Sequence, residues 1–206
     1  MESTKVIGDY TVLNSMYIGH KKIAICENPK AAKNERYLCC YIENMAIFER
    51  YTEALVSDNF AEIAQVYGER ISKAAEETIK ETEKANERVG NNEEITASNC
   101  TPITWEDSIE NKVVAIKGSL LCPEFRHASY QLMLCTGGFG SQPNARGRTC
   151  YCISLFDGRI TSFYRSDVLG VIEPEKLPEW AQKGLEKAKE IHEQEKKPPK
   201  ERDEAR

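Results

Sequence analysis

The feature that most constrains this chain is how little sequence separates its β-favouring runs. YTVLNSMYIG alternates around Val12, Asn14, Met16 and Ile18, and Gly19-His20 then offers a turn into KKIAIC. ENPKAAKN, from Glu27 to Asn34, is loop chemistry around Pro29, and RYLCCYI forms a third run rich in residues that suit a pleated surface. A fourth short strand is expected from Glu53 to Ser57, with Leu55 and Val56 as its apolar members. Such connections are too short for the crossover that a parallel pair needs, so the strands must form an antiparallel meander.

A helix follows. Ser57, Asp58 and Asn59 are good N-caps, and Glu62 stands three residues beyond Asn59, as in a capping box. Phe60, Ile63, Tyr67, Ile71, Ala74 and Thr78 recur at three- and four-residue spacing, which defines an amphipathic helix able to pack on the meander. Beyond Ile79 the stripe fades into KETEKANERVG, predicting an end that projects into solvent or frays. Gly90 to Thr101, GNNEEITASNCT, is polar and aperiodic and reads as a linker.

The second module starts near Pro102. TPITWEDSIENK reads as a loop with one helical turn capped by Thr104, and KVVAIK and YQLMLC as strands. TCYCISLF and RITSFY flank Asp157-Gly158, a pair that predicts a tight hairpin in which both turn residues take positive φ. SDVLGVI is the last strand, and a helix runs through EWAQKGLEKAKEIHEQEKK, with Trp180 and Leu185 to anchor it and Pro178 in its first turn. The expected fold class is α+β, in four segments. Residues 1–89 form an antiparallel meander with one long helix and 90–101 a linker. Residues 102–195 form a small antiparallel β-sheet or barrel with a C-terminal helix, and 196–206 a disordered charged tail.

Composition excludes some functions. With 28 Lys+Arg against 33 Asp+Glu, the net charge of −5 rules out a chain-wide cationic surface, although not a local patch. Apolar runs such as YLCCYI fall far short of the ~18–20 residues of a membrane span. MESTKVIGDY lacks the basic start and apolar stretch of a secretion signal, so the expected location is cytoplasmic. Thiols stay reduced in that compartment, and the eight cysteines then read as buried small hydrophobes. A zinc or thiol site from Cys122, Cys135, Cys150 and Cys152 is the weaker alternative, because the C-x-C and Cys-Cys spacings are not the usual knuckle. Among the histidines, His20 falls in a turn and His192 near the tail. Only His127 has neighbours of catalytic type, in Cys122, Glu124 and Cys135, and spacing alone does not make a nucleophile pair. The expectation is a non-enzymatic protein without a cofactor, and composition is silent on its oligomeric state.

One loop exceeds ordinary connection chemistry: TGGFGSQPNARGR, Thr136 to Arg148. Gly137, Gly138 and Gly140 free the backbone for positive φ or for close approach of a ligand to its amides. Phe139 sits among them as an aromatic that solvent could reach, Asn144 occupies the P-N-A-R-G turn, and Arg146 and Arg148 supply cationic forks suited to phosphate or carboxylate. No Gly-Lys-Ser/Thr follows, so the loop is not a Walker loop. The plainer alternative is a long hairpin whose glycines allow a bend, with Phe139 folded onto the core. Charge is also split: Lys112 to Gly170 carries seven basic and three acidic residues, whereas Phe60 to Glu94 carries five basic and nine acidic ones. A cationic module beside an anionic helix fits binding of a phosphate backbone or an acidic protein, and fits equally the docking of the two segments on each other.

QLMLCTGGFGSQPNARGRTCYCISLFDGRITSFYRSDVLGVIEPEKLPEWA resembles a module of accessory proteins carried by conjugative and integrative mobile elements of gut Firmicutes. SMYIGHKKIAICENP with SDNFAEIAQVYGERI resembles the companion module of the same proteins. The GGFG loop, the P-N-A-R-G turn and SDVLGVI leading into LPEWA carry the resemblance, which extends from about Tyr10 to Ala181. It implies a genetic context and brings no catalytic residue with it. Two functions stand open at this level. One is binding of an anionic partner, nucleic acid or an acidic protein surface, through Gly137, Gly138, Phe139, Gly140, Asn144, Arg146 and Arg148. The other is a protein–protein adaptor or host-defence modulator acting through the helix from Phe60 and the tail.

Overall fold

The computed structural model describes residues 6–44, 49–90 and 92–196. The chain divides into two compact units between Lys84 and Ala85, and the fold is α+β. The first unit holds β1 (Val6–Ile7), β2 (Tyr10–Ile18), β3 (Lys21–Glu27), β4 (Tyr37–Asn44) and β5 (Glu49–Ser57), hydrogen-bonded in chain order in one antiparallel sheet. This is the meander that the short connections require. The fourth expected strand starts earlier than its apolar residues do. In the pairing of β4 with β5, Cys39 faces Leu55 and Tyr41 faces Thr52, and Glu53 takes φ 49° in the bulge between them.

The long helix α1 (Phe60–Val89) starts where the cap residues predict. Asn59 Oδ1 accepts from the Ala61 amide at 3.0 Å, and Glu62 accepts from the Asn59 side chain and from the Ser57 hydroxyl. Ile63 and Ala74 bury against Ile23, Ile25 and Cys39 on one face of the sheet. On the other face Ala24, Cys26, Leu38, Cys40 and Ile42 meet Ile7, with Tyr10 and Val12 packed alongside, as the sheet curls over itself. Burial on both faces explains why KKIAIC and YLCCYI are continuous apolar runs and not alternating ones.

Of the two outcomes that the fading stripe predicts, fraying does not occur: α1 continues to Val89, with Ala85 only 2 % exposed and Lys80, Glu83, Lys84 and Asn86 to Arg88 exposed to solvent. Gly90, at φ 70°, ends it, its amide donating to the Asn86 carbonyl at 2.9 Å. Residues 92–101 are not a free linker but part of the second unit. The Asn92 side chain donates to Ser129 Oγ at 2.9 Å and accepts from the Ser129 amide at 2.8 Å. The fully buried Gln131 side chain exchanges hydrogen bonds with the backbone of Ile95, and Thr101 bridges Val171. These polar residues carry no apolar period because their partners are hydrogen-bonding groups.

The second sheet contains β6 (Val113–Ile116), β7 (Leu132–Gly137), β8 (Thr149–Ser154), β9 (Ile160–Tyr164) and β10 (Val168–Ile172), in the antiparallel order β10-β6-β7-β8-β9. A single turn, α2 (Ala128–Gln131), precedes β7 and takes in Tyr130 and Gln131, which sequence assigns to the strand. Helix α3 (Glu179–Lys196) covers one face, where Ala181, Leu185 and Ala188 meet Val113, Leu132, Leu134, Ile153 and Ile172. Each large side chain buried there contributes about 1.5–3 kcal/mol. Gly184 lets α3 approach closely, since a Cβ there would overlap the Leu155 carbonyl oxygen. The opposite face buries Val114, Ile116, Met133, Cys135, Cys150 and Cys152 beneath Ile109 and Ile103. The stretch before β6 therefore roofs this sheet.

The Asp157-Gly158 connection is a hairpin, but not the two-residue one predicted. Strand β8 ends at Ser154 and β9 starts at Ile160, and of the pair only Gly158 has positive φ, 73°. Asp157 instead acts through its side chain, accepting from the Arg159 amide at 3.0 Å. Lys196 closes α3, and the rest of the tail expected to be disordered, residues 197–206, lies outside the described residues.

Candidate functional site

The segment from Gly137 to Arg148 joins β7 to β8, and its glycines have an architectural cause. Gly138 takes φ 95°, and a Cβ there would overlap the Thr149 carbonyl oxygen. At Gly140 a Cβ would meet the Arg148 carbonyl, and at Gly147 it would meet Phe139. The two limbs of the loop thus lie backbone against backbone, which only glycine permits. Asn144 takes φ 52°, and its amide donates to the Trp105 carbonyl at 3.0 Å. Ser141 accepts through its carbonyl from the Ile109 amide at 2.9 Å. Both bonds pin the loop to the 104–109 stretch.

The side chains are placed differently from the backbone. Phe139 is 79 % exposed, so it does not fold onto the core. Arg146 and Arg148 are exposed, and among the described residues neither is ion-paired. Arg148 lines a cleft. That cleft, of roughly 560 Å³, is walled by Ile103, Thr104, Trp105, Lys117, Arg148, Arg165, Ser166 and Val168.

Arg165 holds the cleft together. It is only 7 % exposed, yet its guanidinium is matched by backbone carbonyls and not by a carboxylate. Nη1 donates to Gly140 O at 2.7 Å, and Nη2 donates to Thr104 O and to Asp107 O, each at 2.7 Å. Its carbon stands 5.7 Å from the centre of the Trp105 ring, and the ring is 51 % exposed. One side chain thus fixes the glycine loop and the Thr104–Asp107 turn. Thr104 does not cap a helical turn, as the sequence predicts. Its amide and hydroxyl donate to Asp107 Oδ2 at 2.7 and 2.8 Å, and these bonds hold the Asp107 carboxyl below its ordinary range.

Arg165 and Trp105 were not singled out by sequence reasoning. An isolated tryptophan in the polar loop PITWEDS was the available signal for the second. For the first there was none, because its partners are carbonyls brought together only by folding.

The cysteine and histidine candidates do not assemble. Cys135, Cys150 and Cys152 share one buried face of the second sheet, whereas Cys122 is half-buried in the stretch before α2. The hydrogen bond with Cys150 pulls the Cys135 thiol down, but the bond with Cys152 and burial push it up to about 12 overall. Cys150 is pushed up by its bond with Cys135 and by burial. In the first unit, burial raises Cys26 to about 12 and Cys40 to about 11. Raised in this way, the four thiols favour the protonated form at neutral pH, away from the thiolate that a nucleophile needs. Among the described residues no cluster of three or more His, Cys, Asp or Glu side chains is placed to hold a metal ion. His127 lines a separate cleft with Asn92, Glu93, Glu94 and Arg126, away from the buried face that holds Cys135. No helix among the described residues is long and apolar enough to cross a membrane.

Compared with protein-family models, curated proteins and solved structures, the chain matches none.

Proposed function

We propose that this chain is a non-enzymatic accessory protein of a mobile genetic element, acting in the cytoplasm, whose second unit binds an anionic partner through the loop from Gly137 to Arg148. The partner class is nucleic acid or an acidic protein surface. One observation carries the proposal: Phe139, Arg146 and Arg148 are all exposed, and both guanidinium groups lack a carboxylate partner among the described residues. A cation left without a counter-charge in the folded chain is available to one from outside, and releasing counterions from a phosphate backbone favours that contact. The resemblance in the GGFG loop and in the P-N-A-R-G turn supplies the genetic context.

The test is binding of labelled DNA and RNA across a salt series. The proposal expects affinity to fall steeply with salt, and Arg146→Ala/Arg148→Ala to flatten the log–log slope by about 1 per lost phosphate contact. A slope unchanged in the double variant, with an acidic peptide also ignored, overturns it. The adaptor reading has one observation of its own, the exposure of Phe60 and Ile79 on α1. It expects a host protein to be retained through those residues after nuclease treatment.

A further inference from the structure

The cleft beside the glycine loop has properties that the loop alone does not. Its charged lining is Lys117, Arg148 and Arg165, and no carboxylate is part of it. Two acids that flank the cleft, Asp107 and Asp167, are engaged by local donors. Asp107 accepts from Thr104, and Asp167 accepts from the Tyr164 amide at 2.9 Å and from the Ser166 hydroxyl at 3.3 Å. Lys117 Nζ donates to the Ser166 carbonyl at 2.6 Å, which fixes the ammonium at the wall, and it makes no ion pair among the described residues. Trp105 adds a half-exposed π-face already backed by the Arg165 guanidinium.

A planar ring next to fixed cations separates the two partner classes. An acidic protein surface brings carboxylates but no obligatory ring. A nucleotide brings a base with a π-face and a phosphate a few ångströms away, and every base can stack. A duplex hides its bases inside the helix, so only an unpaired strand can offer one to Trp105. We infer that the cleft walled by Trp105, Lys117, Arg148 and Arg165 is a nucleotide subsite for single-stranded nucleic acid, with a base stacked on Trp105 and the adjoining phosphate held by Lys117 and Arg148. This rests on the proposed anion-binding role of the loop and narrows its partner to one class. Arg165 is the positioning residue, since its donors are directed to Gly140, Thr104 and Asp107.

The probe is a fluorescent oligothymidylate of about a dozen nucleotides, the length range of such sites, compared with the same strand carrying abasic sites. Wild type is expected to bind the intact strand about tenfold more tightly than the abasic one, the loss of one stacked base. Trp105→Ala should bind both alike at the abasic level, and Trp105→Phe should restore discrimination, which guards against a folding defect in the alanine variant. Equal binding of intact and abasic strands by wild type overturns the subsite, even if Arg146→Ala/Arg148→Ala still lowers the salt slope and keeps the anion-binding role. Discrimination that depends on Trp105, beside a salt slope that Arg146→Ala leaves unchanged, keeps the subsite and overturns the wider role of the loop. A duplex bound as tightly as the single strand also overturns the subsite.

Discussion

Two clefts of the second unit place an arginine over an aromatic ring, and they differ in what surrounds that pair. In one, Arg165 lies 5.7 Å from the Trp105 centroid, and the lining carries cations without acids. In the other, of roughly 690 Å³, Arg88 lies 4.6 Å from the Phe156 centroid, and Asp157 and Glu179 stand in the lining beside Lys183 and Lys187. Glu179 takes Lys183 at 2.6 Å. Asp157 is held by Arg159 at 2.9 Å. The larger cleft has as many basic residues, yet two carboxylates share its lining and one of them takes Lys183. Counting cations would rank the two alike, whereas counting the carboxylates beside them separates them.

The strongest way to break this comparison is to remove each arginine in turn. Arg165→Met removes donors from the carbonyls of Gly140, Thr104 and Asp107, of which the Gly140 bond is buried, and is expected to cost about 2–3 kcal/mol in urea unfolding. Arg88 is exposed, so Arg88→Ala should cost only about 0.5–1 kcal/mol, the worth of a cation–π contact in water. Comparable losses for the two would show that Arg165 is no clamp.

The glycines offer a second contrast. Gly184→Ala pushes α3 off the Leu155 carbonyl, and Gly140→Ala pushes the loop off the Arg148 carbonyl. Each should lower stability by about 1–3 kcal/mol. Only Gly140→Ala should also weaken oligonucleotide binding, read by anisotropy below the melting temperature. Equal effects on binding would erase the distinction between the clefts.

The smallest effect is electrostatic. Burial pushes the Asp157 carboxyl up, but hydrogen bonds from the Arg159 amide and Ser154, with the Arg159 charge, bring it below its ordinary value overall. A carboxyl lowered in the folded state stabilises above its unfolded pKa of about 4, and that contribution is lost as pH falls through the folded value. Melting curves between about pH 5 and pH 2 should therefore show a loss that Asp157→Asn lacks, and identical pH profiles would remove Asp157 from the account.

The strands, the start of α1 and the exposed arginines were readable because each rests on local signals: alternation, caps, and short connections that force antiparallel pairing. Asn92 and Gln131 were not, since buried polar residues look like loop residues until their partners fold beside them. The glycines of the loop were found for an incomplete reason. Sequence showed that the backbone needed freedom at Gly138 and Gly140, and only the structure shows that the need comes from the facing limb of the loop. Trp105 joins the candidate site through the Asn144 amide, a tertiary contact that no spacing encodes.

The Arg165 clamp also has a consequence in time. A loop of this length left free must be ordered on contact with a partner, and that search slows association below the rate set by diffusion and charge. Here the bonds to Gly140, Thr104 and Asp107 restrict the loop as the chain folds, before any partner arrives. Capture should then follow encounter without a waiting step, and the lifetime of a complex, more than its speed of formation, is where mutations around Trp105 will register.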